Sequence, residues 1–387
     1  MIAYLVVFVA SAGTAFLATP LVRLLAIRVG AVAQPSDRKV HLRATPTSGG
    51  VAMYLGLLAG LGASRLLPFF REMDHGSSVP LASLLACTAV VGLGVIDDIK
   101  GISALSKFTG QVFSAGVLLL AGVQIAYFWF PGLRIVVVGS DLAVPLTVLW
   151  VVAMLNAVNL TDGLDGLAAG MVAIAAGAFF IYLVHGTSSF VDATGAALLS
   201  AILVGITLGF LPWNFHPAKI FMGDSGAMLL GMLLAIATIS GVARNPYPPS
   251  GGDFAVVAIP ILLPLLVLAI PLLDVVLAIL RRGRRGVAIG HADKEHIHHR
   301  LMDIGHSHRQ AVLLMYLWSA LISGSALAVG LIDGRLAAGS VVLAAVLVFA
   351  ATVLPRLLER RRRASAGGPS TNGEAAEGAP AVSERRA

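Results

Sequence analysis

The sequence predicts an all-α polytopic membrane protein of about eleven transmembrane helices, N-terminus outside and C-terminus cytoplasmic, with a short external β-hairpin at 125–138. Three observations predict it. Of the 387 residues, 57% are hydrophobic and only 12% charged, whereas a soluble chain carries about 25% charged residues. Apolar runs near the ~20 residues that a bilayer demands recur along the whole length. The basic residues collect on alternate loops. In such a chain the formal charge of +7 gives no reason to expect a nucleic-acid partner. The single cysteine, Cys87, lies in an apolar run and cannot form an intrachain disulfide.

The chain opens Met1-Ile2-Ala3-Tyr4-Leu5, with no basic residue before the first apolar run and with Arg23 and Arg28 after it. That order reverses a cleavable signal peptide, so residues 3–27 are read as a retained span. Further spans follow at 48–68, 80–96, 108–124, 143–158, 166–185, 193–211, 224–243, 254–280, 310–330 and 337–355. The run at 108–124 begins polar. Residues 125–138 are two β-rich stretches around Pro131-Gly132, which suits a hairpin better than a span. An outside N-terminus puts most of the 27 Lys and Arg inside and leaves only Arg65, Arg71, Arg134, Arg244 and Arg335 outside. Arg360 to Arg363 suit anionic headgroups, and the Ala/Gly/Ser/Pro/Glu tail from Ala364 is expected to be disordered.

Five polar clusters interrupt this pattern, all on the inner face. The first, Ser36 to Gly50, carries cations, hydroxyls and glycines that suit either a phosphate or a plain positive-inside anchor. The second, Asp97-Asp98-Ile99-Lys100, ends a span, with Lys107 beyond it. Adjacent carboxylates there can hold Mg²⁺ or take a proton. As a mere helix end they would oppose the macrodipole. The third, Asn156 to Gly166, places Asn159, Asp162 and Asp165 at spacings of three; on one helix Asp162 and Asp165 would share a face. Capping accounts for one polar residue there, not four. The fourth, Trp213 to Gly226, sets Asp224 between glycines as a metal-ligand candidate, with Asn214 and Phe221 placed either to meet a base or simply to pack. The fifth holds His291, His296, His298, His299, His306 and His308. It reads as a zinc site or a diphosphate site, although no H-E-x-x-H and no nearby cysteine is present. His291, His306 and His308 also read as plain surface residues.

Asp37, Asp97, Asp98, Asp162, Asp165 and Asp224 fall at inner mouths of spans, and only Asp274 is clearly inside one. A transporter would more often place charges mid-span. Acids, histidines and cations at one interface point to Mg²⁺-assisted chemistry on a phosphorylated substrate with a lipid partner. No Walker A or Rossmann glycine pattern is present, so a nucleotide must bind in a loop-built cleft.

Four motifs then resemble one family, the polyprenyl-phosphate N-acetylhexosamine-1-phosphate transferases. They are Asp97-Asp98, Asn159-Leu160-Thr161-Asp162-Gly163-Leu164-Asp165-Gly166, Phe221-Met222-Gly223-Asp224-Ser225-Gly226 and His296-Ile297-His298-His299-Arg300-Leu301. The resemblance runs from Asp37 to about Gly330. It implies transfer of a sugar 1-phosphate from a UDP-sugar to a polyprenyl phosphate, with Mg²⁺ (or Mn²⁺), on the cytoplasmic face of the plasma membrane. His298-His299-Arg300, where the phospho-MurNAc-pentapeptide branch carries three histidines, is similar to the GlcNAc-1-phosphate branch. That branch uses UDP-GlcNAc in the first membrane step of a cell-envelope polysaccharide.

Carried over by position, Asp224 matches the Mg²⁺ ligand. Asp97 and Asp98 match the catalytic pair, with Asp97 as base and Asp98 supporting the metal. Asn159, Asp162, Asp165, Asn214 and Phe221 match the nucleotide-sugar site, the last two at the uracil. Lys107, His298, His299 and Arg300 match the diphosphate side. Residues 1–356 form the transferase domain and 357–387 the basic, then disordered, tail. A homodimer is compatible with the resemblance, and no sequence signal argues for it. A two-step route through a phosphoryl-aspartate stays open.

Overall fold

Long apolar runs fold as helices because only a helix satisfies every backbone N–H and C=O within the segment itself. The computed structural model describes residues 1–33, 44–73, 78–129, 135–185, 194–242 and 307–331, with a few positions between 339 and 346. The expected span 254–280, most of 337–355, Asp37, Asp274, the histidines from His291 to His306, Arg300 and the tail lie outside these residues.

The described helices are α1 (Ile2–Arg28), α2 (Gly50–Leu66), α3 (Pro68–Met73), α4 (Val79–Lys100), α5 (Ala104–Leu120), α6 (Ser140–Thr161), α7 (Leu167–His185), α8 (Thr194–Asn214), α9 (Gly223–Val242) and α10 (His308–Leu331). Seven of them, all but α2, α3 and α5, are long and apolar enough to cross a membrane. Helices α2 and α5 are apolar and 17 residues each. The six-residue α3 was not anticipated. The chain is thus a mostly helical polytopic membrane protein. The expected hairpin forms: β3 (Tyr127–Trp129) pairs antiparallel with β4 (Ile135–Val137), in the register Tyr127↔Val137. A second small ladder joins β1 (Val32–Ala33) to β2 (Thr45–Pro46).

Helix α9 is the central post. From Ala227 to Ala237 its side chains are buried on every face, which suits a helix that is apolar all round. Helices α4, α6, α8 and α2 pack on it, while α1 packs on α8 and α2, and α7 on α8 and α10. Lipid tails offer no hydrophobic drive between helices, so close contact relies on small residues. Gly94 of α4 and Gly50 of α2 provide it. A β-carbon on Gly94 would lie 2.3 Å from Cα of Ser225, and one on Gly50 would lie 2.1 Å from the backbone nitrogen of Gly226.

Alternate helices enter and leave the bundle at the end where α9 begins. The C-terminal ends of α4, α6 and α8 and the N-terminal ends of α2, α5, α7 and α10 meet there, as the contacts below show. Clusters two, three and four of the sequence, together with the described end of the first, therefore share one surface.

Candidate active site

That surface holds a cavity of about 400 Å³, lined by Val32, Ala33, Thr47, Asp97, Asp98, Asn159, Asp162, Gly163, Leu164, Asp165, Asn214, Phe221, Gly223 and Asp224. Its size is that of a small-molecule site. Eight of the residues singled out in the sequence line it.

Asp224 sits in the first turn of α9, where the positive end of the helix favours a carboxylate. Its Oδ1 accepts from Lys107 Nζ and from Asn159 Nδ2. Lys107 Nζ also lies 3.0 Å from Asp97 Oδ2. One ammonium thus bridges two carboxylates, whereas the sequence assigned it to the diphosphate. Asp97 Oδ1 accepts from the amide of Ile102 at 2.9 Å, which fixes the end of α4.

Asp98 is used differently from its neighbour. Its Oδ1 accepts from the Asp224 amide at 2.8 Å and from Thr47 Oγ1 at 3.4 Å. Its Oδ2 accepts from Ser225 Oγ at 2.7 Å and the Ser225 amide at 3.4 Å. The first N–H groups of a helix have no partner within it, and here a side chain of α4 supplies them. The sequence placed Asp98 beside Asp224 as metal support; the structure gives its oxygens to the start of α9. Gly223 makes room for this with φ +70°, and a β-carbon there would meet both Asp98 oxygens and Thr47 Oγ1 at 2.5 Å.

Asp162 and Asp165 do not lie on one helix, so the condition for a shared helical face is not met. Asp162 is the C-cap of α6, and residues 162–166 form a turn closed by Gly166 at φ +80°, before α7 starts. Gly166, in the left-handed region, permits the reversal into α7. Asp165, only 4% exposed, accepts from His216 Nδ1 at 2.8 Å and from the Ala218 amide at 3.1 Å. Asn214 braces the same turn: its Oδ1 accepts from the Gly166 amide and its Nδ2 donates to Ile220 O, both at 3.1 Å. Its amide therefore holds backbone rather than facing a base. The Phe221 backbone is tied to Pro46 and Gly49, which sets its ring on the cavity wall. His298, His299 and Arg300 lie outside the described residues.

The donor set around Asp224 is made of hard carboxylate oxygens, from Asp224 and Asp97, which suits Mg²⁺ or Mn²⁺. Lys107 already marks a place where one cation serves two carboxylates. Asp165, His216 and His308 also offer three ligand atoms within 4.8 Å of one another. The two imidazoles, however, stack at 4.1 Å with planes 18° apart. The sequence reading gives His216 no role and leaves His308 open between a metal or diphosphate ligand and a surface residue. A signal was present: Ser307-x-x-Gln310 ahead of an apolar run is a capping box, which sets His308 in the first turn of a helix.

Residues 81–242 match the Glycosyl transferase family 4 pattern. The chain is 43% identical over 356 residues to a decaprenyl-phosphate N-acetylglucosaminephosphotransferase of Mycobacterium leprae, covering 89% of this chain and 88% of that one. It is 38% identical over 327 residues to a probable undecaprenyl-phosphate N-acetylglucosaminyl 1-phosphate transferase of Bacillus subtilis, covering 84% and 85%. A phospho-N-acetylmuramoyl-pentapeptide-transferase of Rhodococcus opacus matches at 37% over 229 residues, only 51% of this chain and 64% of that one.

Proposed function

Because the chain belongs to the polyprenyl-phosphate N-acetylhexosamine-1-phosphate transferases, we propose that it transfers GlcNAc 1-phosphate from UDP-GlcNAc to a polyprenyl phosphate, releasing UMP. The product is polyprenyl-diphosphate-GlcNAc, the lipid-linked start of a cell-envelope polysaccharide. The observation that carries this reading is the single cavity lined by Asp97, Asn159, Asp165, Phe221 and Asp224, residues of three separate motifs. The muramyl branch matches only about half of the chain, and Arg300 stands where that branch has a third histidine.

An oxygen of the polyprenyl phosphate attacks the β-phosphorus of UDP-GlcNAc. The bond from that phosphorus to the bridging oxygen breaks, and UMP leaves with the oxygen. Asp97 orients the lipid phosphate and accepts its proton if it arrives protonated. Lys107, held between Asp97 and Asp224, is placed to transfer its donors to phosphate oxygens. Mg²⁺ held by Asp224, with Asp97 as the neighbouring carboxylate, would supply charge neutralisation on the diphosphate. Asp98 keeps Asp224 in place by holding the start of α9. Asp162 and Asp165 take the nucleoside end, with the Phe221 ring as stacking surface for uracil. His298, His299 and Arg300 serve the diphosphate.

The basic-residue distribution supports eleven spans in the plasma membrane, with this pocket on the cytoplasmic face. The test is a panel of UDP-sugars with a polyprenyl phosphate and Mg²⁺. Purified protein should release UMP from UDP-GlcNAc and much more slowly from UDP-MurNAc-pentapeptide. Equal or faster release from the pentapeptide substrate would move the chain to the muramyl branch.

A further inference from the structure

We propose that His308 and His216 are positioning residues that set the nucleoside end of the donor pocket; this rests on the transferase reading above. The starting point is the head of α10. Ser307 and Gln310 form a reciprocal capping box: the Ser307 amide donates to Gln310 Oε1 at 2.8 Å and the Gln310 amide to Ser307 Oγ at 3.4 Å. Such a box fixes the first helical turn, and that turn carries His308 and Arg309.

Both residues grip the loop between α8 and α9. Arg309 Nε donates to His216 O at 3.0 Å. The His308 ring lies over the His216 ring at 4.1 Å, nearly parallel. His216 in turn donates Nδ1–H to Asp165 Oδ2. Further along the same helix, Tyr316 OH donates to Gly166 O. Helix α10 thus holds the loop at two points and the 162–166 turn at a third. Asp165 is nearly buried and lines the cavity, so its orientation depends on donors held in place for it. Arg309 ties the His216 main chain, while the hydrogen bond to Asp165 and the stack with His308 together hold its ring plane. Without that stack only the hydrogen bond to Asp165 holds the imidazole against turning about Cβ–Cγ, and Asp165 loses that donor more readily.

The stack needs a flat ring at position 308 and not a ring nitrogen, which separates it from a metal or acid–base role. His308→Ala should raise the KM for UDP-GlcNAc about tenfold, the scale of one lost charge-assisted hydrogen bond, and leave the KM for polyprenyl phosphate unchanged. Hydrogen–deuterium exchange at the Ala218 and Gly166 amides should speed up in the same variant. His308→Phe keeps a ring over His216 and should recover most of both effects. Unchanged exchange and KM in His308→Ala would overturn the proposal. So would a Phe variant as impaired as the Ala variant, or an effect confined to the lipid substrate. Exchange does not depend on turnover. If wild type releases no UMP from UDP-GlcNAc while the exchange pattern holds, the transferase reading fails and the contact stands.

Discussion

Replacing Asp224 by Asn should cut turnover by about three orders of magnitude, since a metal-held charge contributes several kcal/mol to such transition states. The side chain accepts from Lys107 and Asn159 at the head of α9 and faces the cavity with Asp97 across the lysine. Asn keeps the shape and one acceptor oxygen, so the ring of contacts persists and the protein stays folded and inserted. What disappears is the negative charge that would hold a divalent ion. UMP release with Mg²⁺ varied over a wide range, beside a thermal midpoint in detergent, checks both halves. Activity within tenfold of wild type would remove Asp224 from the metal site.

Asp98 should respond to substitution in a graded way. Asp98→Ala leaves the Asp224 and Ser225 amides and Ser225 Oγ without the acceptors they now have. Loss of a helix cap costs about 1 kcal/mol of stability. A shift of about 1 Å at a reacting group can cost about a hundredfold in rate, and Asp224 moves with the start of α9. Turnover is therefore expected to fall by about two orders of magnitude in Asp98→Ala, and by clearly less in Asp98→Asn, whose carbonyl still caps the helix. A general base behaves otherwise, because neither Asn nor Ala takes a proton. Equal losses in the two variants, measured as kcat, would return Asp98 to a chemical role.

Much of the helical framework was legible because apolar length is a strong signal in a membrane chain. Residues 3–27 and 166–185 became Ile2–Arg28 and Leu167–His185 almost unchanged. The errors fall where polar residues belong to helices. The span read as 80–96 continues through Asp97 and Asp98 to Lys100, since Asp98 has partners on α9 that apolar length does not reveal. The one read as 108–124 starts at Ala104, because Ser103 caps it by accepting from the Ser106 amide, and it ends before Gly122 at φ +76°. The cavity was legible for a similar reason: Asp97, Asn159, Asp165 and Asp224 are conspicuous beside apolar runs. Their partnerships were not. The donors to Asp98 are mainly backbone amides and hydroxyls, which carry no pattern, and His216 meets His308 only through the fold.

The cavity wall also bears on the order in which ligands arrive. Among the described residues, Asp97, Asp98, Asp162, Asp165 and Asp224 line it, and Lys107 pairs with Asp97 and Asp224. An anionic diphosphate approaching alone meets like charge, which lowers its encounter rate. The donor should therefore enter as its divalent-metal complex, or after the ion has bound. Initial rates at fixed total UDP-GlcNAc should follow the concentration of that complex, with free nucleotide a weak competitor. Strong competition by the metal-free nucleotide would show instead that cations beyond the described residues receive the donor first.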